Sequence, residues 1–218
     1  MENVRERARR YLKILNENAI WIGIGIAIVI AISVPIYLYK QKKSNDFNEA
    51  WSRIWRISYE TVAARQEVPE KRAEAVDSFI NEYIFLKNNL STTEATPWLL
   101  LELGNTQYKA KKYNEAIPTY KEFTERFSRH SLVHIVRQSL GYAYEENGQF
   151  KEAVEQFKMI EADAEAVFMK TQAKLDVGRC YEKLGQLDTA VAEYKGIIDS
   201  SPDSQWAKMA GYRLEDID

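Results

Sequence analysis

Two hydrophobic patterns divide the chain. Through residues 19–39 the apolar positions have no polar face opposite them. Isoleucine fills every second place from Ile20 to Ile32, and the places between hold Trp21, Gly23, Gly25, Ala27, Val29 and Ala31. Such alternation marks a half-buried strand only when the intervening side chains are polar. The run is 21 residues without an ionisable side chain other than tyrosine. At about 1.5 Å per residue it matches the hydrocarbon core of a bilayer. Backbone in lipid can bond only to itself, so the segment is predicted to be a transmembrane helix. Its eleven Ile, Val and Leu residues favour insertion by roughly 3 to 7 kcal/mol. Trp21 at one end, and Tyr37, Tyr39, Lys40, Lys42 and Lys43 at the other, suit the two interfaces, and Pro35 is placed to kink the last turns. A signal peptide cleaved after Ala31-Ile32-Ser33 is the rival reading. Apolar residues run on past that triplet, which favours a retained anchor.

From residue 44 the pattern takes the helical period. "NDFNEAWSRIWRISYETVAAR" sets Phe47, Trp51, Ile54, Trp55, Ser58, Tyr59 and Val62 on one helical face, and "EKRAEAVDSFINEYIFLKN" follows Pro69. Residues 44–90 therefore read as a helix pair. A polar linker from Ser91 to Thr96 leads to Pro97, expected as the first helical residue after a Thr96 cap. Beyond it, "LGNTQYKAKKYNEAIPTY", "LGYAYEENGQFKEAVEQF" and "VGRCYEKLGQLDTAVAEY" align without gaps at a step of 37. Gly104, Gly141 and Gly178 recur at that step, as do Ala116, Ala153 and Ala190, and then Tyr120, Phe157 and Tyr194. A repeat of this length predicts a solenoid of helix pairs over 97–202. The small residues would let the paired backbones approach, and the aromatic would fill the space against the next pair. The last stretch, 203–218, reads as a capping helix.

These residues resemble the tetratricopeptide repeat family: a hydrophobe-Gly pair, Tyr144 and Tyr181 three residues on, then the alanine and the aromatic, with Pro202 closing the last unit. Gln107 stands in the first unit's tyrosine place. Leu100, Arg137 and Lys174 replace the family's tryptophan, and the usual step of 34 is longer by three. The resemblance implies an α-solenoid; with the anchor read from residues 19–39, the chain is expected to be all-α, a single N-terminal transmembrane helix followed by that solenoid and a C-terminal capping helix.

Charge splits with the patterns. Residues 1–43 carry +5 and the remainder −7, and an acidic body excludes a nucleic-acid partner. Residues 1–18 form a basic amphipathic head. Five Lys or Arg on each side of the anchor leave its orientation undecided by charge. Ala19, Gly23, Ala27 and Ala31, at four-residue steps, would let another membrane helix or a second copy approach. The chemistry is sparse. Cys180 is the one cysteine and reads as a packing residue, and His130 and His134, the two histidines, have no evident third ligand. The carboxylates are expected on solvated outer faces. No phosphate-cradling glycine loop is found, so no enzyme activity, cofactor or metal is predicted.

The order of head, anchor, aromatic helix and repeats resembles the ancillary tetratricopeptide subunit of the bacterial Sec translocon. That resemblance implies an inner-membrane protein with its N-terminus cytoplasmic and its repeats periplasmic, holding client or chaperone proteins. A scaffold or assembly factor for one envelope complex, acting through self-association, is the alternative. A cytosol-facing receptor for chaperone tails fits less well, because Trp98, Leu101, Ile135 and Leu175 stand where its lysines belong, although Asn105 suits it. The resemblance also implies a concave partner groove, lined by Trp98, Leu101, Asn105 and Tyr108 in the first repeat, Ile135, Gln138 and Tyr142 in the second, and Leu175 and Arg179 in the third.

Overall fold

A computed structural model describes residues 4–64, 67–90 and 93–217, with backbone alone at 4 and 5. The described residues form ten helices and no strand, divided between two compact units, residues 1–49 and 50–218. The first unit holds α1 (Val4–Glu17) and the apolar part of α2 (Ala19–Ala63). Every described side chain from Glu6 to Asn45 is exposed. By length and composition α2 is a candidate membrane span, and Pro35 sits inside it without ending it.

The second unit begins with the rest of α2 and continues through α3 (Pro69–Leu90), α4 (Thr96–Lys109), α5 (Tyr113–Arg126), α6 (Val133–Glu146), α7 (Phe150–Ala162), α8 (Lys170–Lys183), α9 (Leu187–Ser200) and α10 (Gln205–Ile217). From α3 onward each helix packs on the next, and the first helices of neighbouring pairs also touch, α4 on α6 and α8 on α10. This is the expected solenoid. One core runs from Leu100 to Cys180, and a second joins Leu175, Ala190, Tyr194 and Ile197 to Ala207 and Ala210 of α10.

The repeated glycines set the spacing within each pair. A Cβ at Gly104, Gly141 or Gly178 would stand 2.5 Å from a ring carbon of Tyr120, Phe157 or Tyr194. The aromatic thus lies over the glycine of its own pair, and the first of them, Tyr120, also reaches Ser139 of the next pair. The absent side chain is what makes room for the ring. Each pair turns through the same motif. Gly148 N–H donates to Glu145 O and Gln149 N–H to Tyr144 O, and the equivalent bonds recur at Gly185 and Gln186, and at Lys111 and Lys112. This is a Schellman turn, which needs a left-handed residue past the helix end. Gly148 (φ 75°) and Gly185 (φ 72°) provide it, and so does Lys111 (φ 60°). Gln107, in the tyrosine place, is 4% exposed and accepts a hydrogen bond from Thr119 Oγ1 at 2.8 Å, so its buried amide oxygen is satisfied.

Two local expectations are corrected. Thr96 does not cap α4. Its hydroxyl donates to Thr93 O at 2.7 Å, and α4 already includes Thr96 ahead of Pro97; residues 91 and 92 of the expected linker lie outside the described residues. The apolar face expected on α2 is covered only in part. Ala50, Ile54, Ile57 and Ala64 are buried, while Trp55 and Tyr59 are 71% and 74% exposed.

Candidate partner-binding surface

The step of 37 places equivalent residues in columns along α4, α6 and α8, the first helices of the three pairs. Trp98, Ile135 and Gln172 form one column; Leu101, Gln138 and Leu175 the next; Asn105, Tyr142 and Arg179 the third. The columns differ in what they leave open.

Trp98 and Ile135 are 39% and 47% exposed. The Trp98 ring also meets Trp51 edge to face, 5.9 Å between centroids, which extends the apolar surface onto α2. Leu101 and Leu175, by contrast, are 7% and 4% exposed and lie in the cores. Gln138 is half-buried with its Nε2 shielded and unbonded among the described residues. Tyr108 is half-buried against the core, its ring 5.4 Å from Tyr113. Asn105 accepts a hydrogen bond from Tyr120 OH at 2.8 Å, so its carboxamide oxygen serves the helix pair itself.

Tyr142 and Arg179 belong to a polar network between neighbouring repeats. Arg179 Nε and Nη2 each lie 2.7 Å from a Glu145 oxygen, and Nη1 lies 2.7 Å from Asp176 Oδ1. Tyr142 OH donates to Asp176 Oδ2 at 2.9 Å and accepts from Gln172 Nε2 at 3.0 Å. A two-pronged arginine contact of this kind fixes geometry as well as charge. Asp176 is 2% exposed, and burial raises its pKa against the opposing pull of Arg179 and Tyr142. Burial likewise raises the pKa of Tyr142, reinforced by the Asp176 charge. Glu182 continues the series, accepting from Tyr194 OH at 2.5 Å and from Arg213 at 3.4 Å. The expectation that the carboxylates all face solvent therefore fails for Glu145, Asp176 and Glu182, because arginines and tyrosines of adjacent helices partner them. Their sequence signal was opposite charges about one repeat apart, such as Glu145 and Arg179.

Little here serves catalysis. Among the described residues no group of three or more His, Cys, Asp or Glu side chains could hold a metal ion. Burial pushes the Cys180 thiol up to about 12, so it stays protonated and unreactive. His130 accepts the Leu132 N–H at 3.2 Å and meets Phe123 edge to face. In the first unit Ala19, Gly23, Ala27 and Ala31 are exposed on α2, with nothing within 4 Å of a Cβ added at Gly23.

The fold recurs in solved structures. A tetratricopeptide repeat protein from Parabacteroides merdae superposes with a TM-score of 0.54 at 16% identity, over 79% of this chain and 60% of that one. A double mutant of MamA RS-1 does so at 0.52 and 14% identity, over 76% and 86% of the two chains. MamA AMB-1 reaches 0.50 at 18% identity, over 74% and 98%. At such identities the likeness is one of fold. No curated protein matches the sequence. The profile of the tetratricopeptide repeat-like domain matches residues 13–218, nearly the whole length, and the chain belongs to that family.

Proposed function

We propose that this chain is a membrane-anchored protein-interaction module of the bacterial cell envelope. Its N-terminus lies in the cytoplasm and its repeats hold client or partner proteins, of the translocon and chaperone kind, at the outer face of the inner membrane. The observation that carries the interaction reading is the exposure of Trp98 and Ile135, large apolar side chains at equivalent places on α4 and α6. Buried aromatic anchors tend to dominate interface energy, and this surface suits a peptide, extended or helical, that brings apolar anchors of its own. Anchoring draws support from the eight isoleucines of residues 19–39, all exposed. Each gains about 1.5 to 3 kcal/mol on leaving water, and a bilayer would bury them together. Orientation rests on the resemblance in chain layout, since the flanking charges are balanced. The second reading, a self-associating scaffold, draws on the open small-residue face of α2.

The test is capture from detergent-solubilised membranes by the wild-type chain and by a Trp98→Ala, Ile135→Asp variant. The variant should keep its helicity and melting midpoint and lose its partners. A folded variant that captures at wild-type level refutes the proposed surface. Partners drawn from translocon and chaperones favour the client-holding reading, and a single stoichiometric complex favours the scaffold.

A further inference from the structure

The head helix has a partition that neither the repeats nor the apolar segment explains. On α1, Ala8, Tyr11, Leu12 and Leu15 recur at the i, i+3, i+4, i+7 spacing of one helical face, with Ile14 at its edge. Tyr11, Leu12, Ile14 and Leu15 are 68%, 65%, 50% and 51% exposed. Arg9 and Lys13 stand on the opposite face, and Arg7 and Arg10 border Tyr11 and Ile14. In all, α1 carries five Lys or Arg against Glu6 and Glu17. Between α1 and α2 lies Asn18 alone; its side-chain amide donates to Ile14 O at 2.9 Å, and the backbone bonds from Asn18 N–H to Ile14 O and from Ile22 N–H to Asn18 O run across it to the apolar run that begins at Ala19. Ala8 to Leu12 of this face also precede the matched family region, which begins at residue 13.

We propose that α1 lies in the headgroup layer of a membrane leaflet rich in anionic lipid, adding a second attachment beside the apolar segment, with the chain bending at the one-residue joint Asn18 when lipid binds. The proposal rests on the anchored reading above. Charge complementarity selects the occupant. An apolar stripe beneath a strongly basic face is the pattern of helices that sink shallowly into the interface, and lipid phosphates would meet the arginines while their stems cover apolar surface. The pair Lys13–Glu17, at 3.8 Å and largely exposed, is too weak to withhold Lys13 from a phosphate. A second copy would also cover the stripe, but it would set like charges against each other.

The full chain with Cys180→Ala carries an environment-sensitive fluorophore at Tyr11→Cys or at Lys13→Cys, in vesicles of neutral phosphatidylcholine with or without phosphatidylglycerol. On anionic vesicles the label at position 11 should shift to the blue and the label at 13 stay at its aqueous value. Replacing Arg9 and Arg10 by Gln should cut the ratio of shifted to unshifted label by about fivefold per charge, and salt should reduce it. Both labels in water, while the chain resists carbonate extraction, overturns the proposal alone. Self-quenching at position 11 that is indifferent to lipid charge also overturns it, in favour of a second copy. Release by carbonate overturns the anchored reading, and the labels are not needed to see it.

Discussion

At Gly141 one missing methyl group decides a helix contact. A Cβ there would stand 2.5 Å from Phe157 Cε1, and a packed core relieves such overlap only by distortion. Gly141→Ala should lower stability by ~1 to 3 kcal/mol in chemical denaturation, and Phe157→Leu added to it should recover part of the loss. A pair of losses that merely add would show that the ring does not set the spacing. The glycine and the aromatic were legible because both recur at the step of 37; their contact was not, since recurrence names positions and not neighbours. Asp176 was misjudged for a related reason, that a carboxylate's burial depends on a partner 34 residues away. Burial lifts its pKa, so the folded chain holds that proton more tightly than the unfolded chain. The stability it contributes is complete below about 3.9, the ordinary value, and is lost as pH rises through the raised one. The melting advantage of wild type over Asp176→Asn should therefore fall as pH is raised from about 4. An advantage that grows would mean the Arg179 ion pair outweighs burial.

The three turns between paired helices show how an element tolerates a poor residue. Their hydrogen bonds are the same, yet the first places Lys111 at φ 60°, where the others have glycine. A side chain in the left-handed region costs about 1 kcal/mol. Lys111→Gly should raise the thermal midpoint, offset partly by the greater freedom of glycine in the unfolded chain. A lower midpoint would show that the freedom glycine adds to the unfolded chain outweighs the strain at Lys111, since the 2.8 Å ion pair with Asp77 of α3 belongs to neighbouring Lys112 and is kept in the variant. Helix existence and the ends near Gly148 could be read from the sequence because period and turn residue coincide there. The inward face of α2 could not. Apolar residues surround that helix on both sides of the Ile54 row, and only packing against α3, seen in the Ser58–Tyr83 contact at 3.1 Å, selects the face that is covered.

At the scale of the whole molecule, a repeat array of this family offers surface to other proteins, and the residues that remain to be offered are fewer than the column pattern implied. Leu101 and Leu175 belong to the cores, and Tyr142 and Arg179 bind neighbouring repeats. Trp98 and Ile135 carry the proposal, with Trp51 beside them. Side-chain exposure of this kind is invisible in sequence, where a core leucine and a surface tryptophan occupy the same apolar pattern. The measurement that bears most directly on the account is site-specific photocrosslinking in intact membranes, with the photoreactive residue at Ile135 or, as a contrast, at exposed Lys151 on the second helix of the same pair. A tethered interaction module predicts discrete adducts from position 135, in the membrane fraction, that are absent from position 151 and vanish with Trp98→Ala. Equal adducts from both positions, or none from 135 in a folded, membrane-bound chain, would contradict it.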